Sequence, residues 1–295
     1  MTATDAALGP KASGAGGLTR SAWTRPLRAR YGKPPSRRGT ERPVGVDATD
    51  VSLPGPGGST LRGWLCRPEP ARRRPCGAVV MHGWGAGAAD MAPITRPLLD
   101  AGVHTLLLDA RCHGRSDDAE FTSMPRFAED VAAGARWLRD RPFLDPERIL
   151  LLGHSVGAGA CLMVARDDPR IAAVVSVSSM ADPREMMTRL LRGAHLPRPG
   201  VWLALRYVEH VIGVPFSEFA PLATVGTLEV PVLLVHGERD VVVPVTDTER
   251  LASAAPGAML LVVPGAGHAD VPDGELVSRT LRDFAVRTVA GSPEV

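Results

Sequence analysis

The sequence predicts an α/β fold in which a mostly parallel central sheet is covered by helices on both faces. Short continuous runs of Val, Ile and Leu recur along the chain, segments of helical spacing lie between them, and each run ends in Gly or polar residues. Runs without polar alternation suit strands buried on both faces of a parallel sheet. Regular alternation of such strands with helices places helices on both sides.

A chain of 295 residues, 44% hydrophobic and 22% charged, has enough apolar surface to bury a core. Its 31 Gly and 27 Pro interrupt any long heptad run, which excludes a coiled coil. No apolar stretch reaches the roughly 18 to 20 residues of a membrane-spanning helix, so stable membrane insertion is not expected. Residues 1–17 lack the basic-then-apolar order of a secretory signal. Cys66, Cys76, Cys112 and Cys161 are widely spaced without a C-x-x-C pair, which disfavours metal and disulfide frameworks and suits reduced thiols in a cytoplasm. No metal or other cofactor is implied. The net charge of +2 argues against bulk binding to nucleic acid. That charge is uneven, since Met1 to Pro43 holds 9 Lys and Arg against 2 Asp and Glu. This stretch has no apolar period and reads as a flexible basic arm, 1–43.

Beyond the arm, Val46 to Leu53 and Thr60 to Cys66 flank the turn Pro54-Gly55-Pro56-Gly57-Gly58 and predict a hairpin. Buried strands are predicted at Ala78–Met81, Thr105–Leu108, Ile149–Leu152, Ala172–Val177, Val232–Val235 and Met259–Val263. Helical spacing of Phe127, Val131, Gly134 and Leu138 predicts one crossover helix. Met91 to Leu99, Val156 to Arg166 and Leu276 to Val289 fill others. The interval 181–229 is too long for a simple crossover. With Arg184–Leu191 and Val201–Ile212 as its helices, it reads as a helical lid inserted between the core segments 44–180 and 230–290.

The chemistry lies in the loops that end these strands. Ile149 to Leu152 runs into Gly153-His154-Ser155-Val156-Gly157 and then into small residues that can start a helix. A serine at such a turn is strained, and the glycines remove collisions with the adjoining strand and helix. A serine hydroxyl needs a base, and the base needs an orienting acid. Asp240 follows the run Val232–Val235, and His268 follows Leu260–Val263, so parallel strands bring Ser155, Asp240 and His268 to one sheet edge. The loop His82-Gly83-Trp84-Gly85-Ala86-Gly87 after Met81 reaches that edge as well. There the backbone N–H groups of Trp84 and Val156 would form an oxyanion hole.

With these elements the chain resembles the α/β-hydrolase superfamily over roughly Val46 to Thr288, and within it the serine aminopeptidase-like and acylglycerol-lipase-like hydrolases. Asp109-Ala110-Arg111-Cys112-His113-Gly114-Arg115-Ser116 is similar to the family's D-x-R-G-H-G-x-S segment, with Cys112 where that pattern has Gly. The resemblance implies an α/β-hydrolase fold with Ser155 as nucleophile, His268 as base and Asp240 as acid. The neighbouring carboxylates Asp247 and Asp270 read as solvated, and His82, His113, His154 and His236 as structural. Cys161 reads as core. Met180, Met186 and Met187 would either line an acyl pocket or pack the core. In the lid, Met186, Trp202 and Leu205 are expected, with Trp84, to bind substrate, although core packing is the stronger expectation for Trp202 alone. Arg184, Arg189, Arg192 and Arg206 are expected to face water. The implied activity is cleavage of an ester, thioester or small amide through an acyl-enzyme, on a small-molecule acyl substrate. An acyltransferase or perhydrolase would use the same triad, and a hydrolase-like binding protein would not need it. The sequence leaves the oligomeric state open.

Overall fold

The computed structural model describes residues 39–270 and 274–291, so residues 1–38 of the basic arm lie outside the described residues. Strands β1 (Ala48–Pro54) and β2 (Thr60–Cys66) form the antiparallel hairpin, turning at the Pro-Gly segment. Six more strands follow: β3 (Gly77–Met81), β4 (His104–Leu108), β5 (Ile149–His154), β6 (Ile171–Val177), β7 (Val232–Gly237) and β8 (Met259–Val263). They make an eight-stranded sheet in the order β1-β2-β4-β3-β5-β6-β7-β8. β2 pairs antiparallel with β4, and all pairs from β4 to β8 are parallel.

The absence of polar alternation in the strand sequences follows from burial on both faces. Val79, Met81, Leu151 and Val174 face one apolar layer with Phe127, Val131 and Leu138 of α2 (Met124–Arg139) and Leu162 of α3 (Val156–Asp167). Their strand neighbours Val80, Leu150, Leu152 and Val175 face the other, with Ile94 and Leu98 of α1 (Ala92–Asp100) and Leu281 and Phe284 of α9 (Glu275–Ala285). Beyond Ala285 the chain continues as a wider turn over Val286–Ala290, so the predicted single C-terminal helix changes its winding near its end. Cys66, Cys76, Cys112 and Cys161 are all free and buried.

Between β6 and β7 lie four helices where the sequence suggested two: α4 (Pro183–Gly193), α5 (Arg198–Ile212), α6 (Phe216–Phe219) and α7 (Pro221–Val225). Asp182 starts α4 by accepting the Arg184 N–H at 2.7 Å, with Pro183 in the first turn. Gly213, at φ +93°, ends α5 in the left-handed region. The inner faces of α4 and α5 pack on the core through Met186, Met187, Leu191, Val201 and Leu205. Trp202 is turned away from the core, being 62% exposed, with Leu203 at 64% and Leu190 at 56%. Helical phase explains it, because Val201 and Leu205 take the inward positions and carry Trp202 outward.

Helix α8 (Val245–Ala254) was not legible as a helix, since its buried positions include Asp247 and Thr248 rather than an apolar stripe. Asp247 is therefore not a solvated carboxylate. It is buried, accepts the Ala181 N–H at 3.3 Å and pairs with Arg189 at 3.0 Å, tying α4 to α8. Nor do Arg184 and Arg206 simply face water, because both bond Glu209, at 3.2 and 3.1 Å.

Candidate active site

Ser155 sits between the end of β5 and the first residue of α3, with φ 54° and ψ −116°. A non-glycine residue with positive φ carries strain that the surrounding structure must impose. Here the surroundings are close. A β-carbon on Gly157 would lie 2.5 Å from the His82 carbonyl oxygen, and one on Gly153 would lie 2.2 Å from that of Gly157. Both glycines are required because backbone approaches backbone at the turn. Ser155 N–H donates to the Val177 carbonyl at 2.8 Å, fixing the turn to β6. The serine is only 8% exposed.

His268 and Asp240 are brought together from the ends of β8 and β7, with His268 Nδ1 2.6 Å from Asp240 Oδ2. The other carboxylate oxygen accepts the N–H groups of Val242 and Val243 at 2.9 and 2.8 Å. His236 Nε2 stands 3.2 Å from Oδ2, and its Nδ1 reaches Thr248 Oγ1 on α8. Burial opposes ionisation of Asp240, but the hydrogen bonds from His236, His268 and Val243 outweigh it and hold the carboxyl far below the usual carboxylate range. The bracing of Asp240 by His236 was missed in the sequence. Their i, i+4 spacing was the available signal, but it runs from the end of β7 into an irregular loop, where neither strand nor helix periodicity reads it. Asp270 accepts the Gly267 N–H at 3.0 Å and shapes the loop before His268.

The elbow and the base loop are joined directly. His154 Nε2 donates to the His268 carbonyl at 2.9 Å, and the two rings lie 4.7 Å apart. Burial, reinforced by the nearby His268, pushes His154 down to about 4, so it stays neutral and serves as a link rather than a second base.

The glycine-rich loop after β3 lies against the elbow, since a β-carbon on Gly83 would come within 3.1 Å of the Ser155 β-carbon. His82 fixes this loop. Its Nδ1 donates to the Gly83 carbonyl at 2.7 Å, while its Nε2 accepts the Ala110 N–H at 3.1 Å. Burial drives His82 down to about 3, which keeps the ring in the neutral form those bonds require. The Trp84 ring meets His113 edge-on at 5.6 Å. Val156 opens α3, and the first N–H groups of a helix have no partner within the helix.

The departure at Cys112 leaves the Asp109 segment intact. Cys112 adopts φ +66°, the conformation for which glycine is suited, and its Sγ accepts the Ala119 N–H at 3.2 Å. Asp109 then reaches back to the Ala88 N–H at 2.7 Å, holding the far end of the Trp84 loop.

Of the expected substrate-binding residues, Trp84 is on the loop beside the elbow, Met186 is partly buried on the inner face of α4, and Leu205 is packed in the core. Trp202 is on the outer surface. Among the described residues no group of His, Cys, Asp and Glu is arranged to hold a metal ion.

A strained serine at a strand-to-helix turn within this sheet order defines an α/β-hydrolase-fold serine hydrolase. The profile of the prolyl oligopeptidase family matches residues 125–290. An uncharacterized protein of Mycobacterium tuberculosis is 30% identical over 243 residues, covering 81% of this chain and 79% of its own. The chain belongs to the prolyl oligopeptidase family. The structure of a Pyrococcus furiosus esterase superposes with a TM-score of 0.68 at 23% identity, covering 87% of this chain and 98% of the esterase. The protein phosphatase methylesterase 1 of Schizosaccharomyces pombe is 32% identical over 123 residues, 39% of this chain and 35% of that protein.

Proposed function

We propose that the chain cleaves an ester, thioester or small amide through an acyl-enzyme formed on Ser155, with His268 as base and Asp240 as the orienting acid. The observation that carries this reading is the 2.6 Å contact of His268 Nδ1 with Asp240 Oδ2, on a loop that His154 bonds to the turn holding Ser155 at positive φ. With its Nδ1–H given to an ionised Asp240, neutral His268 leaves Nε2 free to take the Ser155 hydroxyl proton. The Ser155 oxygen bonds to the acyl carbon, and the developing oxyanion is met by the Trp84 and Val156 N–H groups. Collapse expels the alcohol, thiol or amine, protonated by His268. Water, deprotonated by the same imidazole, then releases the acid and restores Ser155.

The similarity to a methylesterase supports an ester as substrate. Trp84 and Met186 are proposed to contact the acyl group, and their apolar character favours an uncharged one. The lid reading of 181–229 is retained only for the inner faces of its helices.

The test is a Ser155→Ala variant with a panel of acyl esters, thioesters and aminoacyl amides. Loss of the nucleophile is expected to cost on the order of 10⁶ in kcat. A fluorophosphonate probe should add once, at Ser155, by intact-mass and peptide analysis. A variant keeping a tenth of the activity, or an adduct elsewhere, would remove Ser155 from the role. Added alcohol that captures the acyl group faster than water would convert the reading to acyl transfer.

A further inference from the structure

The outer face of the α4–α5 hairpin is built unlike a surface meant only for water. Along α5, Arg198, Trp202, Arg206 and His210 follow one another at four-residue steps on the exposed side, with Leu203 beside Trp202. The connection between the helices, from Arg192 to Pro199, is exposed throughout and carries Leu196, while Leu190 projects from α4. From Met186 to Val208 the charged residues are four arginines, with no Asp or Glu. Arg189 and Arg206 lean on the buried acids Asp247 and Glu209 at the base of the hairpin, and Arg192 and Arg198 stand at its tip.

Leaving Trp202 and Leu203 more than 60% exposed forgoes the stabilisation that burial of their apolar area would bring. Trp and Leu ringed by arginine are the composition of a segment that lies in the headgroup region of a bilayer, apolar groups sinking inward and guanidinium groups remaining with phosphates. No helix among the described residues is long and apolar enough to cross a membrane, so the contact would be peripheral.

We propose that the outer face of the α4–α5 hairpin docks on an anionic lipid surface, with Trp202, Leu203 and Leu196 entering the interface and Arg192 and Arg198 at its tip meeting lipid phosphates. Charge favours lipid over a second copy of the chain, because a two-fold contact through this face would set like-charged stripes against each other. An anionic bilayer supplies both the apolar depth and the opposite charge. This docking is independent of the reaction proposed for Ser155.

The test is flotation of the full chain with phosphatidylcholine vesicles, with and without phosphatidylglycerol, at low and high salt. Binding is expected only with phosphatidylglycerol present and is expected to weaken as salt rises. The Trp202→Ser/Leu203→Ser variant should lose at least about tenfold in partitioning while keeping the parent's circular dichroism and melting temperature. Should that variant misfold, Arg192→Ala/Arg198→Ala answers the same question, with an expected loss on the order of tenfold or more. Failure of the parent to bind would overturn the proposal. So would binding undiminished in the folded variants, which would assign it to another basic segment such as 1–43. A parent that is dimeric by sedimentation, and monomeric after the Trp202 and Leu203 changes, would assign the face to a second copy instead.

Discussion

Asp240 accepts hydrogen bonds from Val242, Val243 and His268, and His236 Nε2, which bonds the Val243 carbonyl at 2.9 Å, stands 3.2 Å from the same carboxylate. An amide at this position would keep the shape yet offer His268 the wrong partner. Asp240→Asn is expected to lower kcat by about 10⁴, as the imidazole tautomer is inverted, measured with a saturating ester substrate. Normal kinetics in that variant would move the acid elsewhere. His268→Ala should be as severe as loss of the serine. At this scale the placement of Ser155, Asp240 and His268 at one edge of the sheet was legible because each follows a recognisable strand. The partners that brace them were not. His154 reaches a carbonyl 114 positions away and His236 reaches Thr248 on a helix the sequence hid, and neither contact has a local pattern.

Among elements, the elbow is specified by backbone proximity, and that gives a sharp contrast between glycines. Gly157→Ala would force a β-carbon against the His82 and Met81 carbonyls, so its unfolding free energy should fall by at least about 2 kcal/mol, read from urea denaturation. Gly193→Ala, at the end of α4, meets nothing within 4 Å and should be close to neutral. An elbow alanine as stable as the parent would mean that the turn can open enough to admit a β-carbon. For substrate, Met186→Ala should shift the preferred chain length among p-nitrophenyl esters, whereas Trp202→Ala should leave it where it was. A shift with Trp202 instead would return that ring to the acyl wall. The strands and long crossover helices were readable from apolar runs and helical spacing. Helix α8, with Asp247 and Thr248 buried, was not, because its inward face is satisfied by hydrogen bonds and ion pairs whose partners lie far along the chain.

For the molecule as a whole, burial keeps three histidines neutral in the fold. His82 is pushed down to about 3, His154 to about 4 and His104, beside Arg73 and Arg67, to about 4. The unfolded chain takes up protons at these residues below about pH 6.5 while the folded chain does not, so stability is lost as pH falls from that point toward 4. Asp130, which burial against the pull of Arg111 raises to about 6, acts in the opposite sense below that value and offsets only part of the loss. The urea midpoint should therefore be lower at pH 5 than at pH 7. Equal midpoints would mean that the histidines do not titrate differently in the two states. The four buried cysteines extend the use of such measurements. Desolvation pushes the Cys66 and Cys76 thiols up to about 12 and 11, and Cys161 higher still, so the attacking thiolate is scarce as well as sealed from reagent. Distributed over β2, the approach to β3, the Asp109 loop and α3, they act as timers placed in separate parts of the molecule. The order in which they are alkylated during a slow denaturant ramp would record which part of the molecule opens first, with no label or engineered probe.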